Sequence, residues 1–256
     1  MKDQFVIACI DRPDDAPTVL GWATALAGLL RHKSLMVLNV SRDGDAPWLR
    51  NLGHPYVGLR GEWSTAIEGL PTAFGGILAV TACDPTAPRH SLAHPRTLLR
   101  QFRPCKTAYI AVPAGTPFRI GQTALTLTYH REGKEKLVWA SYLARFAGAS
   151  LTIAHPDYSD AGLRQRFLNN MQFASKMYTP LGIGYRDAVL GRSTRVDACA
   201  LDELQPDLLV AMTTDSRERD LLDLLAPRPE LQLLTRSHPT PLLFLNPRDD
   251  LYILCD

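Results

Sequence analysis

The sequence predicts an α/β protein built of two tandem domains, each with a parallel sheet covered by helices on both faces. Three observations lead there. Short apolar runs alternate with stretches of helical period along the whole chain, the order expected of parallel strands joined by right-handed crossover helices. That order then repeats, because the stretch from Phe5 to Pro113 is echoed element for element by Thr123 to Pro247. Side chains repeat with it: Trp22-Ala23 and Trp139-Ala140 occupy matching helices, and Ser34-Leu35 and Ser150-Leu151 open matching strands after nearly the same spacing. A repeat of this length is a duplicated domain and not a solenoid unit. The predicted domains are residues 1–116 and 120–256, with a linker from Ala114 to Gln122 that holds Gly115, Pro117 and Gly121.

In the first copy the apolar run Phe5 to Ile10 reads as a strand ending in Asp11. A helix over Thr18 to Arg31 follows, because Val19, Trp22, Ala23, Leu26, Leu29 and Leu30 recur with helical period behind Pro17 and Thr18. Leu35 to Val40 is the second strand. The middle, Ser41 to Gly76, is compressed and rich in Gly and Pro, so only a short strand at Tyr56 to Leu59 and a helix at Glu62 to Phe74, broken near Pro71, are expected there. Strand Ile77 to Ala82, helix Thr97 to Phe102 and strand Ala108 to Val112 complete the copy. The abbreviated middle makes this the less autonomous half.

The second copy is fuller. Strand Ala124 to Tyr129 ends in His130, helix Glu135 to Phe146 follows, and strand Leu151 to Ala154 comes next. Ala161 to Tyr178 is an amphipathic helix with Leu163, Phe167, Met171 and Ala174 as its apolar stripe. Then come strand Tyr185 to Leu190, helix Thr194 to Leu204, strand Leu208 to Met212, a helix around Arg219 to Leu225, a second piece near Leu231 to Thr235, and strand Leu242 to Leu245. The two closing strands, Ala108 to Val112 and Leu242 to Leu245, are apolar on both faces and need cover, which places them near a shared interface in an intramolecular pseudo-dimer.

Composition narrows the function classes. A hydrophobic content of 46% over 256 residues suffices for packed cores, and a net charge of +2 from 28 basic and 26 acidic residues gives no field that would recruit nucleic acid or a membrane surface. The first apolar run is too short for a signal peptide, and the window Val19 to Leu30 is too short to span a bilayer. A cytoplasmic location is expected. The 5 cysteines lack C-x-x-C spacing and read as reduced thiols.

The strand ending in Asp11, the two Trp-Ala helices, the run Arg145-Phe-Ala-Gly-Ala-Ser-Leu-Thr-Ile-Ala-His155 and the phrase Leu204-Gln-Pro-Asp-Leu-Leu-Val-Ala-Met212 together resemble the universal stress protein family in its tandem form. The resemblance covers nearly the whole chain. It implies five-stranded parallel sheets of order 3-2-1-4-5 with an adenine-nucleotide-hydrolase-like fold, and ATP held by a glycine loop after the fourth strand. Glycines there let backbone N–H groups approach the phosphates. This chain departs from that pattern. After Met212 the glycine positions hold Thr213, Ser216 and Ala226, and the final Ser/Thr position holds Pro227; in the first copy, Ile77 to Ala114 contains no glycine, and Pro85 and Pro88 occupy the loop. Side chains fill the phosphate space and proline removes a donor, which argues against ATP binding.

The ligand-crevice candidates are Asp11, Asp84, His130, Thr213, Asp215 and Arg217. Asp11 lies at the carboxyl end of the first strand, where open α/β sheets place ligands. The resemblance implies adenosine contact for it; the residues alone read more simply as a loop cap before Pro13. His130 stands near the corresponding place in the second copy. Asp84 and Asp215 follow matching strands and either cap the next helix or line a crevice, while Arg217 partly offsets the acidic run from Asp215 to Asp220. His90 and His94 have metal-pair spacing but no third ligand, so no metal, cofactor or catalytic residue is assigned. The expected function is a stress-response binding or regulatory protein with degenerate nucleotide loops, its partner an unidentified protein or small ligand. An ATP-binding form with slow hydrolysis and a small-ligand or metal carrier are the alternatives, and a further homodimer stays open.

Overall fold

The computed structural model describes residues 4–30, 33–41, 44, 46–191, 196–213, 228–237 and 239–247. The chain divides into two compact units, Met1–Phe118 with Asp215–Asn246, and Arg119–Thr214 with Pro247–Asp256.

The first unit holds β1 (Phe5–Cys9), β2 (Ser34–Ser41), β3 (Tyr56–Arg60), β4 (Gly76–Cys83) and β5 (Ala108–Pro113) in the order β3-β2-β1-β4-β5, all parallel. This is the 3-2-1-4-5 order that the resemblance implies. Helix α1 (Ala16–Leu29) buries Val19, Trp22, Ala23, Leu26 and Ala27, the stripe expected from the sequence. The connection from β2 to β3 is short, with a 3₁₀ turn over Pro47–Leu52 whose Leu49 is buried. Gly58 of β3 shows how tight the connection is, since a Cβ there would stand 2.8 Å from the Gly44 carbonyl oxygen. The predicted broken helix is two pieces, α2 (Trp63–Glu68) and α3 (Leu70–Ala73), parted at Gly69 with Pro71 in the first turn of the second. Helix α4 (Pro95–Phe102) leads into β5.

The closing strand of the second copy, β10 (Leu242–Leu245), belongs to this first unit and pairs antiparallel with β5, Leu243 opposite Ile110. Tyr109 of β5 stacks on Phe102 at 4.4 Å and meets Phe244 of β10 at 5.4 Å. The amide of Asn246 donates to the Phe102 and Cys105 carbonyls, 2.8 Å each, and so locks the end of β10. Helix α8 (Pro229–Leu234), the expected piece near Leu231, packs against α4 in the same unit. The helix expected at Arg219 to Leu225 lies outside the described residues.

The second unit holds β6 (Gln122–Thr126), β7 (Ser150–His155), β8 (Tyr185–Val189) and β9 (Leu208–Met212), parallel and in the order β9-β6-β7-β8. Its helices are α5 (Lys134–Ala147), α6 (Ala161–Tyr178) and α7 (Val196–Leu204). Gly148 closes α5 at φ 64°, a left-handed cap that only glycine adopts without strain. Helix α6 starts on the Asp160 side chain, which accepts from the Leu163 N–H at 2.8 Å, and the Tyr178 hydroxyl near its other end donates to the Leu137 carbonyl of α5 at 2.8 Å. One prediction needs correction: the strand read as Ala124 to Tyr129 runs from Gln122 to Thr126, because its register is set by pairing with Ser150 to Ala154, and Thr128 and Tyr129 have already left the sheet.

Candidate functional site

In the first unit the carboxyl ends of β1 and β4 are tied together by the protein itself. The Asp11 carboxylate accepts from the Ser91 hydroxyl at 2.8 Å and from the Leu92 N–H at 2.7 Å, both through Oδ2. The Asp84 N–H donates to the Ala93 carbonyl at 2.8 Å, so the loop after β4 closes on its own root and buries Ser91, Leu92 and Ala93. Beside it, Arg12 grips Asp15 with two hydrogen bonds, Nε to Oδ2 at 2.8 Å and Nη2 to Oδ1 at 2.6 Å, and reaches Asp84 at 3.2 Å. Burial works against the Asp84 carboxylate, but hydrogen bonds from Thr86 and Arg12 outweigh it and hold the carboxyl below its usual range. Two carboxylates, Asp15 and Asp84, therefore share one guanidinium, while the Asp11 carboxylate is held by the loop after β4.

His94 caps α4, its Nδ1 accepting from the Arg96 N–H at 3.3 Å. Burial, followed by the nearby Arg89 and Arg96, pushes the imidazole pKa down, which keeps the accepting nitrogen unprotonated. Among the described residues no group of three His, Cys, Asp or Glu is arranged to hold a metal ion. Cys9, Cys83 and Cys105 are free and buried, and burial pushes the thiols of Cys83 and Cys105 up to about 12, far from the thiolate form.

The second unit differs at the equivalent place. The Ile10 N–H donates to the Leu38 carbonyl in the first unit and the Leu127 N–H to the Ala154 carbonyl in the second, so the residue matching Asp11 is Thr128, and His130 lies two positions further on. The loop is shaped by Asn170 of α6, which is 3% exposed and donates to the carbonyls of Thr128 at 2.8 Å and His130 at 3.0 Å. Tyr129 stacks on His130 at 4.1 Å and meets Tyr158 edge-on at 5.8 Å. A groove of about 440 Å³ opens here, lined by the loop residues Tyr129 to Glu132, by Lys134, and by Arg166, Asn169 and Asn170 of α6. Beneath the loop, the buried Lys136 ammonium donates to the Thr126 hydroxyl at 3.0 Å, which in turn donates to Asp197. Burial pushes Lys136 down while Asp197 opposes the shift.

Of the sequence candidates, Asp11 and Asp84 sit at one crevice, His130 lines the groove of the other unit, and Thr213 follows β9 directly. Asp215 and Arg217 lie outside the described residues. Arg12, Asp15, Ser91, Lys134, Arg166 and Asn170 were not singled out by sequence. Arg12 and Asp15 stand among prolines and carry no periodic signal, whereas the three-residue spacing of Phe167 and Asn170 on the buried face of α6 marks the latter.

No family model and no curated protein gives a significant match to the sequence. Solved structures do. A functionally unknown protein from Pseudomonas aeruginosa matches with a TM-score of 0.66 at 15% identity, over 98% of this chain and 95% of that one. A universal stress protein from Archaeoglobus fulgidus matches with a TM-score of 0.62 at 10% identity, over 96% of this chain and 97% of that one. The cytoplasmic domain of a prokaryotic cation chloride cotransporter matches with a TM-score of 0.53 at 13% identity, over 99% and 100%. Among the described residues no helix is long and apolar enough to cross a membrane. Strand order, tandem repetition and these end-to-end superpositions agree: the fold is that of the universal stress proteins in their two-domain form.

Proposed function

We propose that the protein is a binding or regulatory module of the universal stress type that takes no ATP at the family's usual position. The observation that carries this reading is the double hydrogen bond from Ser91 and Leu92 to Asp11. An incoming adenosine would have to displace the protein's own loop from that carboxylate, and its phosphates would meet Asp15 and Asp84. In the second copy the sequence after Met212 puts a side chain at each glycine position and proline at the last. Losing three charge-assisted hydrogen bonds at about 1.5–3 kcal/mol each removes most of the roughly 8 kcal/mol of a micromolar site. A cytoplasmic location and a role under stress belong to the same proposal.

Titration calorimetry with ATP, with and without magnesium, tests it. The expected result is no saturable heat in the micromolar range. Saturable binding near 1 µM that Asp11→Ala weakens would overturn the proposal and favour a nucleotide-binding form with slow hydrolysis.

A further inference from the structure

We infer that the groove between the loop after β6 and helix α6 is a binding site for a small molecule carrying clustered oxyanions. The inference starts from charge. Arg131 and Lys134 come from the loop and the first turn of α5, Arg166 comes from the middle of α6, and Glu132 is the single acidic residue among them. Among the described residues neither Lys134 nor Arg166 forms an ion pair. Cations drawn from separate elements toward one concavity repel each other, and a bound polyanion relieves that cost.

Geometry gives the charge a place to act. A volume of about 440 Å³ falls in the lower part of the range for small-ligand sites, roughly 300–1,000 Å³. Its wall is preorganised, since the buried Asn170 amide fixes the Thr128 and His130 carbonyls and the Tyr129–His130 stack stiffens the loop between them. Lys134 lies 5.2 Å from the Phe173 ring centroid, which holds the ammonium over α6. The Asn169 side chain on the same wall supplies both a donor and an acceptor. The first unit differs: its matching loop carries Asp14 and Asp15, and among the described residues its β2–β3 connection holds a 3₁₀ turn in place of a helix like α6.

Phosphoanhydrides and polycarboxylates share this chemistry, and two probes separate them. The intact protein is titrated at low salt with inorganic pyrophosphate and, independently, with citrate, followed by calorimetry. One saturable equivalent for at least one probe is expected, and the tighter probe names the class. Arg166→Gln and Lys134→Gln should each weaken it at least about tenfold, as loss of a charge-assisted contact does. Lys176→Gln removes the same charge from the exposed far end of α6 and should change affinity less than about twofold. Thermal melts of all three variants show whether each is folded. Absence of saturable binding by either probe, binding indifferent to Arg166→Gln and Lys134→Gln, or equal weakening by Lys176→Gln would each overturn the inference. The outcome is independent of the ATP test, because ATP held at the fold's usual position responds to Asp11→Ala and ATP held in this groove responds to Arg166→Gln.

Discussion

The loops after β1 and after β6 leave equivalent strands, each makes a 3₁₀ turn, and each enters a helix of 14 residues. Around the first, Arg12 pairs with Asp15 and Asp84, and the Asp11 carboxylate draws in the loop after β4. Around the second, the anchoring is done by an uncharged amide, Asn170, and Lys134 and Arg166 line a groove beside it. The contrast shows how a duplicated scaffold can keep its strand geometry while its strand ends take opposite electrostatic characters. Function in such folds resides in the loops at the sheet ends.

Arg12→Ala should break this contrast most, because it strands Asp15, whose side chain is 3% exposed, and removes a partner from Asp84. With Arg12 itself partly solvated, a loss of about 2–3 kcal/mol is expected in urea unfolding. The effect depends on pH with a definite sign. The Asp84 carboxyl is held down in the folded state, so its contribution is complete above the unfolded value near 3.8 and fades as the pH falls through the lower folded value. The gap between wild type and variant should therefore narrow in acid; a constant gap would place the stabilisation elsewhere.

Asn170→Ala comes next. It leaves the carbonyls of Thr128 and His130 without their donor, at an expected cost of about 1–3 kcal/mol. Hydrogen exchange should quicken in Tyr129 to Lys134 more than in β6, and uniform quickening of the whole unit would instead mark Asn170 as part of the global core.

Lys136→Met sharpens the comparison with the smallest effect, since the matching position in α1 is the fully buried Val19. Near neutral pH a change within about 1 kcal/mol is expected, because the lost hydrogen bond offsets the relieved burial of an ammonium. The alkaline limb is more telling. Burial lowers the folded pKa of Lys136 beneath its ordinary 10.5, so the unfolded state binds more protons between the two values and stability rises with pH across that interval. The variant should lose that rise; its persistence would assign it to another group.

The core strands were legible because apolar runs bounded by loops leave few alternatives, and the Trp-Ala repeat aligned the helices that cover them. The end of β6 was not legible. Leu125 to Tyr129 continues to look strand-like after pairing stops at Thr126, and the polar Gln122 that opens the strand is held by pairing with Ser150 and by hydrogen bonds with Asp207. The stripe of α6 was read as Leu163, Phe167, Met171 and Ala174, whereas Phe167, Asn170, Ala174 and Tyr178 are the buried set. A polar residue takes a core position there because two loop carbonyls need its amide. Such a requirement arises from residues about 40 positions away and leaves no local trace. The closure of the first crevice was half legible: the missing glycines pointed to a lost phosphate cradle, but the contacts of Arg12 and Ser91 that fill the place join β1 to residues of the β4 loop.

The antiparallel seat of β10 on β5 has a consequence for synthesis on the ribosome. The edge of β5 is complete once Pro113 has emerged, but the strand that covers it arrives only with Leu242 to Leu245. At roughly 5–20 residues per second, translation leaves that edge bare for about 6–26 s. During this interval the nascent chain presents an unpaired apolar strand to every neighbour in a polysome, which makes β5 the natural holding point for a chaperone and the first place where slowed elongation would turn into aggregation.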